Sequence, residues 1–421
     1  MPGSRRRERA SGRLASGTAA ILDNGFNSLS NLLLTVSIAR DVDGDTFGRF
    51  AIAYSLALFA VGLVRAAVVE PLLLNLPRLS GVARGAAPRA ALRRAFFLGF
   101  GSVPIQLGVV MALSGLRLSW PVLAVVVVTP LWLVVDGARI ALIANGSVLG
   151  AMTLSAVWLG TQAMLLLVVP LIAGSGALAA WLVGLLAALV CALWLVGRVP
   201  PGSGSPSDGS VGKRHDEFNR TFAIDFALGP GFRQLTVVAV AAPLSASDAG
   251  LLRLAFSVLG PAAIITQGLR SVGQRDLALA APEAARRVAA QIALAAAGLC
   301  AIMSVFLVML PADLLRAIAP EDIGVPDLRL ALAFVGVERV IGGLSLYVQL
   351  LQRAAQDSVG VAWSRLAAVA VVALSVAVAS FVPVLTIPLL AVALSPAALL
   401  GVGMYRLRQV SAGPSRSAPS S

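Results

Sequence analysis

Apolar residues occupy this chain in blocks of about 20, broken by short polar connectors, and a block of that length crosses a hydrocarbon layer about 30 Å thick when coiled as an α-helix. A helix suits that setting because it satisfies its own backbone polar groups. Twelve spans are predicted, at 17–39, 47–72, 95–115, 120–143, 151–172, 177–197, 218–242, 249–271, 288–310, 328–350, 358–380 and 384–406. The clearest interruption is 198–217, RVPPGSGSPSDGSVGKRHDE, whose Gly, Ser and Pro content predicts a flexible linker. It separates a basic N-terminal tail (1–16) and a first six-span lobe (17–197) from a second six-span lobe (218–406) and a C-terminal tail (407–421).

The lobes repeat. An offset of 202 residues places Asp23 on Asp225, Gly48 on Gly250, Ala53 on Ala255, Ser55 on Ser257 and Tyr54 on Phe256. Each lobe has an even number of spans, so both begin on the same side, and the pseudo-two-fold axis runs along the membrane normal. The expected fold is an all-α integral membrane protein with about 12 transmembrane helices, in two parallel six-helix lobes around a central cavity.

Composition agrees with that class. The 421 residues are 58% hydrophobic and only 13% charged, outside the range of soluble globular proteins. The net charge of +13 is spread over alternate connectors. Arg5, Arg6, Arg7, Arg9 and Arg13 precede the first span, Arg78 to Arg94 join the second to the third, and Arg198 to Arg220 lie around the linker. Arg270 to Arg287 follow the eighth span, and Arg406, Arg408 and Arg416 close the chain. Arg and Lys gather on the cytoplasmic side, which predicts two cytoplasmic termini. Anionic lipid headgroups are the expected partners of this charge rather than nucleic acid. Near-exclusive use of Arg over Lys, with abundant Ala, points to a bacterial chain and hence to the inner membrane. The N-terminal apolar stretch carries Asp23, Asn24 and Asn27 and reads as a retained span, not a cleaved signal.

Cys191 and Cys300 lie in separate spans as small core residues, and the single histidine, His215, is in the linker. There is no phosphate loop and no metal-binding histidine pair, so no enzyme activity and no cofactor are expected.

Candidate chemistry lies in polar residues inside the spans, which usually face a bundle interior or a water-filled cavity. Asp23, Asn27, Asn31 and Thr35 follow at four-residue spacing and share one side of the first helix. Amides there either glue helices together or line a lumen. In the seventh span the matching row reads Asp225, Gly229, Arg233, interrupted by Gly229-Pro230-Gly231, which favours a helix break. Arg233 suits a phosphate group, since its planar fork binds two oxygens at once; the alternative is an ion pair with Asp225 or across the lobes. Glu338 and Arg339 lie inside the tenth span, about 100° apart on a helix, in position to pair with different helices. Asp136 and Arg139 read as an intrahelical pair, and Arg65, Glu70 and Arg365 as end anchors.

The first span ILDNGFNSLSNLLLTVSIAR, the second span FGRFAIAYSLALF and its end VRAAVVEPLLL, together with two six-span halves, resemble the polysaccharide-exporter branch of the multidrug/oligosaccharidyl-lipid/polysaccharide flippase superfamily. The resemblance covers essentially the whole chain. It implies alternating access by two lobes that move a lipid-linked oligosaccharide to the outer leaflet, with glycosyltransferases or a polymerase of the same route as partners. Asn27, Asn31, Thr35, Arg233, Glu338 and Arg339 would line the substrate path, and Asp23 and Asp225 would couple transport to H+ or Na+. A drug exporter of the same fold, a membrane glycosyl polymerase or ligase, and an envelope-assembly scaffold are the competing expectations. Compared with peptidoglycan-precursor flippases, the chain lacks two C-terminal spans.

Overall fold

The computed structural model describes residues 2–76, 81–114, 118–168, 176–198, 222–277, 281–355 and 357–412, and among these there is no strand. The first half comprises α1 (Pro2–Asp41), α2 (Gly44–Val64), α3 (Glu70–Asn75), α4 (Gly81–Ser114), α5 (Trp120–Ala144), α6 (Val148–Val168) and α7 (Gly176–Gly197). A π-turn at Arg65–Val69 joins α2 to α3. The second half comprises α8 (Phe232–Ala241), α9 (Ala246–Val258), α10 (Gly260–Leu277), α11 (Pro282–Val308), α12 (Ala312–Arg316), α13 (Val325–Ala354), α14 (Ser358–Ala379) and α15 (Thr386–Ala412).

Among the described residues nine helices are long and apolar enough to cross a membrane, or ten when α9 and α10, bent by 50°, count as one span. These ten correspond to ten of the twelve expected spans. Of the other two, the first is helical throughout within α1, but its polar row lowers its mean hydropathy. The seventh is helical over 222–226 and is then broken by a π-turn at Ala227–Gly231, where the Gly-Pro-Gly segment stands. Proline withholds a donor from the helical ladder there, and the wider π register absorbs the loss. The count of twelve is therefore approximate, and the predicted linker 198–217 lies outside the described residues except for Arg198.

The 202-residue offset has a structural counterpart. Asp43 caps α2 by accepting the Thr46 amide at 2.9 Å, and Ser245, 202 positions later, caps α9 by accepting the Asp248 amide at 3.1 Å. Equivalent helices thus start at equivalent capped residues, each satisfying an otherwise orphaned helix-start donor. The equivalent glycines Gly48 and Gly250 face each other, since a Cβ on Gly250 would lie 3.0 Å from the Gly48 Cα. Like meeting like is what a local two-fold between α2 and α9 requires.

Contacts divide the chain into one unit of Met1–Ile264 with Pro311–Leu328, and another of Ile265–Leu310 with Arg329–Ser421. These units differ from the expected lobes 17–197 and 218–406, because α8 and α9 pack on α2. Within the first unit α1 packs on α6, α4 on α5, and α6 on α7. Its core is aromatic: Phe50 stacks on Tyr54 at 5.3 Å, Tyr54 on Trp132 at 5.6 Å, and Trp181 meets Trp132 edge-on at 5.4 Å. Such pairs add about 0.5–1.5 kcal/mol each beyond area burial. The connector between α12 and α13 also belongs here, with Asp322 accepting the Gly44 amide at 2.8 Å.

In the second unit, Ala285, Ala289, Ala293 and Ala296 of α11 pack with Leu346 and Leu350 of α13. The alanines recur every three or four residues, so α11 offers a narrow smooth face, and helix association in lipid relies on such close packing. A Cβ on Gly343 would meet the Ala297 backbone at 2.7 Å, so α13 approaches α11 backbone to backbone. Nearer the chain end, α14 pairs with α15.

Candidate functional site

The polar row of α1 serves two different clusters in the first unit. At its start Asp23 is 1% exposed, and both carboxylate oxygens are engaged. Arg139 Nη1 of α5 donates to Oδ2 at 2.6 Å, and Ser155 Oγ of α6 donates to Oδ1 at 2.6 Å. Arg139 also donates through Nη2 to Asp136 Oδ1 at 3.1 Å. The expected Asp136–Arg139 intrahelical pair is present, but the guanidinium reaches across to α1 as well. Arg65 of the π-turn lies 3.7 Å from Asp136 Oδ2 and 3.3 Å from Glu70 Oε1. One network therefore ties α1, α5, α6 and the end of α2.

Two turns further along α1 the chemistry is neutral apart from one cation. Asn31 Oδ1 accepts the Tyr54 hydroxyl at 2.7 Å, and Thr35, 0% exposed, donates to the Asn31 carbonyl at 2.8 Å while accepting Ser257 Oγ at 3.3 Å. Asn27 Oδ1 is buried and accepts no hydrogen bond among the described residues. Between Asn27 and Asn31, Ser30 exchanges hydrogen bonds with Gln162 of α6. Over the outer face of Tyr54 sits Arg253 of α9, its guanidinium carbon 4.8 Å from the ring centre. Arg253 Nη1 donates to Gln234 Oε1 of α8 at 2.9 Å. Its partners are thus a ring and an amide, and among the described residues no carboxylate pairs with it.

A guanidinium 5% exposed and compensated only by neutral groups is a costly arrangement, tolerated by Arg because it is weakly hydrated and stacks on aromatic faces. Tyr54 is polarised from both sides, donating its hydroxyl proton to Asn31 while its ring faces a cation. This cluster of Asn31, Tyr54, Gln234 and Arg253 can bind an anion at one end and offer an amide to hydroxyl groups at the other.

The remaining expected residues are placed as follows. Asp225 and Arg233 are both half-buried in the first unit, on either side of the π-turn, and neither is unpartnered. Arg233 directly precedes Gln234, which holds Arg253. Glu338 and Arg339 are buried in the second unit and pair with each other, Nε to Oε2 at 3.4 Å, besides making other contacts. The sequence reading overlooked Arg253 and the reach of Arg139 to Asp23. An arginine inside the predicted eighth span was a readable signal; the ring and amide that receive it were not.

No protein-family model matches the sequence, and no curated protein matches it. Solved structures do. A multidrug resistance MATE family transporter of the MOP superfamily in an inward-facing conformation has a TM-score of 0.64 at 13% identity, with 96% of each chain covered. The lipid II flippase MurJ in an inward closed conformation has a TM-score of 0.66 at 10% identity, covering 94% of this chain and 87% of that one. A MOP superfamily transporter from Pyrococcus furiosus, described as having a binding pocket of reverse polarity, has a TM-score of 0.56 at 14% identity over 96% of each chain. Likeness at such low identity gives the fold alone: this multi-pass membrane chain shares its helical fold with those solved structures.

Proposed function

We propose that the protein moves a lipid-linked oligosaccharide or polysaccharide precursor across the bacterial inner membrane by alternating access, in the building of cell-surface polysaccharide. The observation that carries this reading is the buried Arg253 guanidinium with neutral partners, lying over the Tyr54 ring whose hydroxyl binds the Asn31 amide. A phosphate group supplies the missing counter-charge, and a guanidinium fork matches its oxygens. Amides exchange hydrogen bonds with sugar hydroxyls. Arg233 adds a second positive charge on α8, next to Gln234. Glycosyltransferases or a polymerase of the same route would supply and consume the cargo.

On this reading a coupling ion, H+ or Na+, acts at Asp225, which stands two residues before the π-turn. Such register breaks recur at functional positions. The transporter fold alone supports drug export equally well. The large aromatics that a drug site would use, Trp132, Trp158, Trp181 and Tyr54, are instead packed on one another and are no more than 3% exposed.

The two readings part in a deletion strain. Loss of surface polysaccharide with accumulation of its lipid-linked precursor is expected, restored by the wild-type chain and poorly by Arg233→Ala at equal protein level. Normal polysaccharide with heightened drug sensitivity would replace this reading with drug export.

A further inference from the structure

We propose that Arg139 is the resident cation of the first-half carboxylate site, so that Asp23 holds helices together and does not exchange a coupling ion. Asp23, Asp136 and Arg139 are all no more than 4% exposed, and the guanidinium bridges the two carboxylates at 2.6 and 3.1 Å. Ser155 donates to the other Asp23 oxygen at 2.6 Å, so both oxygens are already engaged by side chains of α5 and α6. Within the buried part of the network, two carboxylates meet two guanidinium groups. Two buried carboxylates face Arg139 and, at 3.7 Å from Asp136, Arg65. Glu70, at the partly exposed rim, pairs with Arg65 at 3.3 Å. An Na+ ion entering between Asp23 and Asp136 would have to displace a cation covalently fixed to α5.

The bridge also has a mechanical consequence. Arg139 joins α5 to α1, and Ser155 joins α6 to the same carboxylate, so three helices are pinned at one point. Removing one member of a buried ion pair leaves an uncompensated charge and costs far more than removing both. Arg139 is therefore a positioning residue whose charge is its function. This inference rests on the ion network alone and is independent of which cargo the protein carries.

The test uses purified full-length protein, with thermal unfolding followed as NaCl replaces choline chloride at constant ionic strength. Wild-type protein is expected to show no saturable Na+ effect. Arg139→Gln strands Asp23 and leaves Asp136 only the more distant Arg65, so it is expected to gain a saturable rise in Tm of about 3 °C or more with Na+. Adding Asp23→Asn to Arg139→Gln removes one stranded charge and is expected to abolish that response while recovering stability. Should Arg139→Gln fail to fold in choline chloride, recovery of its yield in NaCl or in the double variant supports the proposal. Equal failure of both variants in both salts overturns it. Saturable Na+ binding by wild-type protein that Asp23→Asn removes would also overturn it, because the site would then exchange its cation. The readout is cation binding, so a wrong assignment of cargo leaves these outcomes unchanged.

Discussion

Replacing Gly48 with Ala should destabilise the protein more than any other single added methyl in the first unit. A Cβ at that position would stand 1.8 Å from the Ala246 carbonyl oxygen and 2.1 Å from its carbon, both backbone atoms that no rotamer change can remove. To restore an ordinary contact, α2 and α9 must part by about 1.5 Å, and a gap of half that already forfeits a quarter to a half of each dispersion contact. In lipid, packing is the chief force between helices, so the loss is not offset by a hydrophobic term. The expected cost is about 1–3 kcal/mol. At Gly250 the added methyl meets the Phe47 ring edge at 2.9 Å and the Gly48 Cα at 3.0 Å, a softer obstacle, so Gly250→Ala should cost less. Gly101 and Gly160 have nothing within 4 Å of an added Cβ, and Ala there should be neutral or stabilising by up to about 1 kcal/mol. Melting temperatures of the four purified variants should therefore rank Gly48→Ala lowest, then Gly250→Ala, then the two controls. A Gly48→Ala protein as stable as Gly101→Ala would refute the close approach of α2 and α9.

Other perturbations separate the layers of the structure. Trp181→Ala empties a fully buried position in the aromatic core and should cost about 3–5 kcal/mol, read as a large fall in Tm; a fall no larger than at an exposed position would contradict the core assignment. Tyr54→Phe keeps the ring under Arg253 but removes the bond to Asn31, so it should cost only about 1 kcal/mol in stability, and a loss as large as that of Tyr54→Ala would show that the hydroxyl matters more than the stack. Asp43 lies outside the spans, and the Thr46 amide and then its hydroxyl hold the Asp43 carboxyl below the usual range. A depressed carboxyl contributes stability above its unfolded value of about 3.9 and loses it as the pH falls through the lower folded value. Asp43→Asn should therefore flatten the acid side of the Tm profile below pH about 4, and an unaltered profile would mean the cap adds nothing.

How far the sequence discloses this molecule depends on the range of the interaction. The equivalence of Gly48 and Gly250 was legible from a 202-residue repeat; that the two glycines face each other, and that Asp43 and Ser245 cap equivalent helices, the structure adds. The Asp136–Arg139 pair was legible from its three-residue spacing on a helix. Its extension to Asp23 was not, since 116 residues separate the partners and only the packing of α1 against its neighbours brings them together. Glu338 and Arg339, about 100° apart on a helix, meet each other at 3.4 Å, a neighbour pairing that angular separation alone does not suggest, and both make further contacts as well. The polar row of α1 looked uniform in sequence. In space its first member joins an ion network, while Asn31 and Thr35 join α2 and α9, because neighbouring helices cross α1 at different heights.

The most direct test of the proposed cargo reading is transport by the purified protein in proteoliposomes, using a fluorescent polyprenyl-pyrophosphate oligosaccharide and comparing wild type with Arg253→Gln. Loss of one charge-assisted phosphate contact of about 1.5–3 kcal/mol should slow translocation on the order of 10- to 100-fold at subsaturating cargo, with a neutral lipid-linked sugar moved equally poorly by both proteins. Undiminished transport by Arg253→Gln, or no transport of the pyrophosphate-linked probe by the wild type, would contradict it.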